Sequence, residues 1–342
     1  MALWTSADPE DVAGFFKRRP AQGTPAPQAE PKPRRRDFNE LKPDPDKIGI
    51  SGSVPFVRLP DPTTLFADRA ARLSEAAPGH PLEAYLRFVA EVARAQAQVQ
   101  AATRATGQPA ALPDAADLAL RSEHGMPPLS RHSLEADRGF DACLLTLLDA
   151  LDLATAPEAS AAARASLRAA SQEDRRDLAL QVFEGALPVD RIAECVFVSA
   201  ALQIRLAEQA ARLDTKVLKP VADGVCPCCG GAPVASVVVA WTPADKARYL
   251  SCSLCGTYWN HVRIRCTACG SGEGISYYGL DEISKDVQVE TCTTCHSYIK
   301  HLHQHRAPGL DPVADDIATY GLDLKIAEEG FRRAGLNLLF VI

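Results

Sequence analysis

The chain contains no run of about 20 apolar residues, the length a helix needs to cross a bilayer. No apolar h-region lies between Met1 and Gln22, so secretion and membrane insertion are both disfavoured. A positive charge balance is missing too. The formal net charge is −6 and the pI about 5.8, which leaves no global field to draw in nucleic acid or anionic lipid. Phosphate loop, dinucleotide fingerprint and serine or cysteine nucleophile elbow are all absent from the sequence, so catalysis has no visible home and the expectation is a protein that is not an enzyme. The run Arg34–Arg36 is followed by Asp37, Asn39, Glu40 and Lys42 where a twin-arginine signal needs apolar residues, and it reads as a solvated charge run. These absences point to a cytoplasmic protein.

What the chain does have is cysteine in a pattern. Of its 11 cysteines, eight form four Cys-x-x-Cys pairs in two copies of one unit. Cys226 and Cys229 with Cys252 and Cys255 make the first copy; Cys266 and Cys269 with Cys292 and Cys295 make the second, each cysteine 40 residues after its counterpart. Two such knuckles brought together by a hairpin place four thiolates at the corners of a tetrahedron. In a reducing compartment they stay thiolates and do not pair as disulfides. The expectation is two metal ions, iron in rubredoxin-type sites or zinc, since four sulfur ligands alone do not separate the two.

Glycine follows the second cysteine in three of the four pairs, at Gly230, Gly256 and Gly270, and His296 stands in the fourth place. A residue there must turn sharply so that backbone N–H groups face the sulfurs. Cys228 adds a thiol inside the first knuckle and reads as a bystander pointing away from the metal. Cys143 and Cys195 share helix faces with leucine and valine and read as core residues. His301, His303 and His305 alternate on a strand and read as a solvated edge.

Around this centre the fold class reads as α+β: an N-terminal helical bundle, two tandem rubredoxin-like or zinc-ribbon modules, then a C-terminal helix. Residues 1–50 form a disordered or extended tail, rich in Pro, Ala, Lys and Arg over 18–48. Residues 51–220 form the helical domain, with helices expected near 63–75, 139–153, 158–170, 173–185 and 189–213. One more begins at Pro81 and places Leu82, Tyr85, Leu86, Val89, Val92, Ala93 and Ala97 on one face. Ser171 with Asp174 resembles the start of a capping box. The proline-broken stretch from Gly107 to Arg138 reads as a long loop. The first ribbon covers 221–262 and the second 263–308, with strands such as Ser236–Trp241, Tyr258–Arg265 and Tyr298–His303. Residues 309–342 hold a last helix whose stripe Val313, Ile317, Tyr320, Leu324, Ala327 and Phe331 packs on the body.

The sequence around the knuckles, Cys226-Pro227 to Gly230, Arg248 to Cys255 and Arg263-Ile264-Arg265-Cys266, resembles the formate dehydrogenase accessory protein family, FdhE. The likeness extends to Gly79-His80-Pro81-Leu82, Tyr85 to Phe88, Pro127-Pro128-Leu129, Ala314-Asp315-Asp316, Leu322-Asp323 and Glu328 to Phe331. It covers roughly residues 52 to 342. The resemblance implies a cytoplasmic maturation factor that binds the catalytic subunit of respiratory formate dehydrogenase before translocation, and it implies rubredoxin-like iron.

Two alternatives stay open at this level: a redox protein passing electrons to a client, and a nucleic-acid-binding zinc ribbon. Against the last, nine Lys or Arg face seven Asp or Glu between Lys216 and Arg306, which makes no basic stripe. Oligomeric state, a homodimer included, is left open.

Overall fold

A computed structural model describes residues 54–105, 109–154 and 156–341; the expected tail over 1–50, with Arg34–Arg36, lies outside them. After a two-residue strand β1 (Val57–Arg58) come the helices α1 (Leu65–Ala76), α2 (Glu83–Ala105), α3 (Ala115–Glu123), α4 (Arg131–Ala136), α5 (Phe140–Ala150), α6 (Glu158–Ala169), α7 (Gln172–Phe183) and α8 (Ile192–Ala210). The spacing argument holds for α2, where Leu86, Val89, Val92 and Ala93 are all buried. Ser171 caps α7, accepting the Asp174 N–H at 3.0 Å.

Helix α8 is buried on every side from Cys195 to Ala210, its polar Gln203, Arg205, Glu208 and Gln209 included. It forms the axis of the bundle, packed by α2, α5, α6 and α7. Its charged Arg205 is matched by Asp137, which accepts from the guanidinium at 2.7 and 2.5 Å. Burial pushes the Cys143 thiol up to about 12 and that of Cys195 up to about 11, so both are inert core groups, as read from the sequence.

The stretch from Gly107 to Arg138 is not simply a loop, because it carries α3 and α4. Local capping nucleates both: Asp114 accepts the Asp117 N–H, and Ser130 and Ser133 cap each other reciprocally. Neither helix is long enough to show periodicity between its flanking prolines.

Six strands follow: β2 (Pro233–Val238), β3 (Arg248–Cys252), β4 (Tyr258–Asn260), β5 (Ile275–Tyr278), β6 (Val287–Cys292) and β7 (Ser297–Leu302). Then come α9 (Pro312–Ala318), α10 (Tyr320–Glu328) and a short β8 (Arg332–Arg333). The ribbons share one sheet of order β1-β4-β3-β2-β7-β6-β5, with β8 beside β7. Each ribbon is an antiparallel meander, and a parallel pairing of β2 with β7, Ser236 opposite His301, joins them. Strand β4 stops at Asn260 instead of running to Arg265. The carbonyls of Val262, Arg263 and Arg265 turn instead to the Arg248 guanidinium, at 3.0 to 3.1 Å.

The C-terminal stripe is divided between two helices. Thr319, at φ −110° and ψ 27°, leaves helical geometry and bonds its hydroxyl back to the Asp315 carbonyl at 2.6 Å. The chain then continues on a rotated face, so α10 buries Leu322, Asp323 and Ile326 while Ala327 is exposed. A buried charge cluster docks this segment on the sheet. Lys300, with no exposed side-chain surface, meets Asp323 at 2.5 Å and Asp316 at 3.4 Å, and Arg333 bonds both aspartates. Two cations against two anions offset the desolvation each would suffer alone. Tyr298 donates to Asp323 at 2.8 Å and Asn337 to Asp316 at 2.8 Å.

Candidate metal centres

The four knuckles bring the eight predicted sulfurs into two quartets, each with all its sulfurs within 4.8 Å of one another. Cys226 Sγ lies 3.6 Å from Cys255 Sγ, and Cys229 Sγ 3.5 Å from Cys252 Sγ. In the second quartet the corresponding distances are 3.7 Å for Cys266–Cys295 and 3.8 Å for Cys269–Cys292. Disulfide sulfurs would stand about 2.05 Å apart. A tetrahedron with metal–sulfur bonds of about 2.3 Å has edges of about 3.8 Å. The donor set and its spacing therefore fit a tetrathiolate ion in both quartets.

The turns follow the same chemistry. Gly230, Gly256 and Gly270 lie at φ 76°, 72° and 71°, the left-handed region that suits glycine. His296 takes the fourth turn at φ 53°. Its ring packs on Phe331 with centroids 6.0 Å apart, and its carbonyl accepts the Arg332 N–H at 2.8 Å, so strand β8 holds the turn that a Cβ disfavours. Backbone N–H groups reach sulfur at Leu254 to Cys252, 3.4 Å, and at Ala268 to Cys266, 3.3 Å. Side-chain oxygens lie beside sulfur as well: Thr257 Oγ1 is 3.2 Å from Cys255 Sγ and Ser297 Oγ 2.9 Å from Cys295 Sγ. These two residues also stand 40 apart, so extending the cysteine offset to their neighbours finds them.

The quartets differ in access. All four cysteines of the first are buried, whereas in the second Cys269 is exposed and Cys295 half-buried. The helical body closes the first. Gln203 of α8 donates to the Ser253 carbonyl inside the knuckle at 2.8 Å, and the Leu129 N–H donates to the Cys228 carbonyl at 2.9 Å. Leu65 and Pro60 crowd Gly256, and Pro127 crowds Gly230. Cys228 is fully buried and is not one of the four sulfurs of the quartet.

Between the centres lies a polar network that the sequence did not announce. Arg248 of β3, fully buried, pairs with Glu290 of β6 at 2.7 Å and donates to Ser236 at 2.8 Å and Thr267 at 3.1 Å. Tyr277 donates to Glu290 at 2.9 Å. Burial raises the Glu290 carboxyl above its usual range while Arg248 and Tyr277 pull it back. His301 is no solvated edge. It is buried, 2.9 Å from the Ser236 hydroxyl, and desolvation keeps its imidazole well below the usual value.

Family models match nearly all of the described chain: FdhE, N-terminal, over residues 54–223; FdhE, central domain, over 225–263; and FdhE, C-terminal domain, over 264–340. A Protein FdhE homolog of Rhizobium meliloti is 39% identical over 300 residues, covering 87% of this chain and 96% of that one. One of Stutzerimonas stutzeri is 35% identical over 302 residues, covering 86% and 96%. The crystal structure of the FdhE protein from Pseudomonas aeruginosa superposes with a TM-score of 0.72 at 33% identity, covering 84% of this chain and 99% of that one. With relatives at this identity along almost their whole length and the same architecture in a solved structure, the chain belongs to the FdhE family.

Proposed function

We propose that the chain is a cytoplasmic maturation factor that binds the catalytic subunit of a respiratory formate dehydrogenase and is required for its activity. Cys226, Cys229, Cys252 and Cys255 hold one iron or zinc ion, and Cys266, Cys269, Cys292 and Cys295 hold the other. The helical domain over 51–220, the ribbons over 221–262 and 263–308 and the segment 309–342 then act as one platform. The observation that supports this reading is the unequal burial of the quartets. The first, closed between helices and sheet, pins the body to the ribbons. The second, at the other end of the sheet, leaves its knuckles free to meet a client.

Capture of a formate dehydrogenase catalytic subunit on the immobilised chain tests it. Wild type captures the subunit, and Cys269→Ser/Cys295→Ser loses capture while keeping one metal ion and its helical circular dichroism. Equal capture by that variant, or none by wild type, refutes the reading. The exposed Cys269 also favours a second role, one-electron exchange at the second ion, since transfer needs close approach. Reversible visible thiolate-to-iron absorption supports that role, and a colourless zinc-loaded protein from anaerobic cells contradicts it.

A further inference from the structure

On the sheet face opposite α9 and α10, where the two ribbons meet, lies a cleft of about 520 Å³ that has no part in either quartet. This volume is in the range of small-molecule and short-peptide sites. Three kinds of chemistry converge there. Lys246 and Arg263 supply positive charge, and among the described residues no carboxylate lines the cleft. Glu290 beneath it is already engaged by Arg248 and Tyr277, and Asp286 nearby by Arg306.

His301, His303 and His305 form an edge-to-face row along one wall, with ring centroids 4.9 and 5.4 Å apart. His303 bonds Gln288 through Nε2 at 2.9 Å, and the buried Nδ1 atoms of His303 and His305 have no partner. The His303 imidazole, pushed down to about 4 chiefly by burial, is neutral at pH 7; its Nε2–H donates to the Gln288 side-chain oxygen, which leaves Nδ1 as an acceptor.

The rim is apolar. Ile264 and Tyr277, which line the cleft, are 65% and 41% exposed, apolar surface open to a ligand. Lys246 itself is held at φ 60°, its N–H bonded to the Val239 carbonyl at 2.8 Å. A non-glycine residue in that region marks a locally strained turn of the kind found at ligand sites.

We infer that this cleft binds an extended peptide segment of a client protein, with an acidic side chain against Lys246 and Arg263 and an apolar side chain on Ile264 and Tyr277. The inference rests on the client-binding reading above and names where and what the body grips. A free small carboxylate would satisfy the cations without using the histidine row or the rim.

The test uses the full chain with its metals bound, on an array of overlapping peptides that tile the formate dehydrogenase catalytic subunit, beside capture of the whole subunit. Wild type marks peptides that carry an acidic residue near an apolar one. Lys246→Glu, a surface change that spares both quartets, weakens those spots and subunit capture by about tenfold or more, as expected for charge reversal at a contact. Ile264→Ser weakens the same spots, and citrate in excess does not displace them. If wild type captures the subunit yet Lys246→Glu does so equally, or the marked peptides lack acidic residues, or none is marked, or citrate clears them, the inference fails while the client-binding reading stands. If wild type captures no subunit at all, the client-binding reading itself has failed.

Discussion

Replacing Arg248 with methionine tests whether the two ribbons behave as one body. Arg248 exposes none of its side chain and joins β3 of the first ribbon to Glu290 of the second at 2.7 Å. It also satisfies the carbonyls of Val262, Arg263 and Arg265 and the hydroxyls of Ser236 and Thr267. Methionine keeps most of the length and removes every donor. Glu290 is then a buried carboxylate with only Tyr277 to bond it, and removing one partner of a buried pair costs about 3–5 kcal/mol. Glu290→Gln alone leaves Arg248 its neutral acceptors and costs less, about 1–3 kcal/mol. In the double variant no buried charge is left unpaired, so its loss falls short of the sum by more than about 1 kcal/mol. Denaturant titration of metal-loaded protein reads all three, followed by the fluorescence of Trp241 and Trp259 in the first ribbon. A loss below about 1 kcal/mol for Arg248→Met, or strict additivity in the double variant, would refute the reasoning, because the guanidinium would then not hold the ribbons together.

Two further outcomes follow from the same geometry. A strong chelator removes the two ions in separate phases, the second quartet first because Cys269 is exposed while the first quartet is closed; a single phase, or slow loss of the one ion left in Cys252→Ser protein, contradicts the difference in access. Stability also falls as pH drops from about 6.5 toward 4, because the unfolded chain protonates at the usual histidine value while His303 stays neutral in the fold down to about 4. His301 shifts in the same direction. The fold's full contribution is present above pH 6.5 and is lost below it, so His303→Gln flattens the pH dependence of the melting temperature in that window relative to wild type. Thiolate protonation is common to both proteins, so superposable curves count against this assignment.

The eight quartet cysteines were legible because metal ligation demands a fixed local spacing, and the 40-residue offset repeats that spacing without reference to the rest of the fold. The same offset reaches Thr257 and Ser297. The unequal burial was not legible. It depends on Gln203 meeting Ser253 and on Leu129 meeting Cys228, contacts between segments far apart in the chain that no local pattern encodes. Arg248 and Glu290 carry no local mark of burial, because it is the parallel pairing of β2 with β7 that encloses them. For the same reason the histidine row read as an edge, although β7 lies inside the sheet with β2 on one side and β6 on the other. The last helix was legible as a stripe, but its break at Thr319 follows from one hydroxyl bond to Asp315. Asp315, Asp316 and Asp323, part of the family likeness, prove to be counter-charges, Asp315 to Arg72 at 2.7 Å and the other two to Lys300 and Arg333.

Metal analysis combined with X-ray absorption at the metal edge, on protein isolated anaerobically, addresses the paired centres most directly. Two ions per chain, each surrounded by four sulfurs at about 2.3 Å with no lighter ligand, is the predicted result. One ion per chain, nitrogen or oxygen in the first shell, or cysteines recovered as disulfides would contradict it.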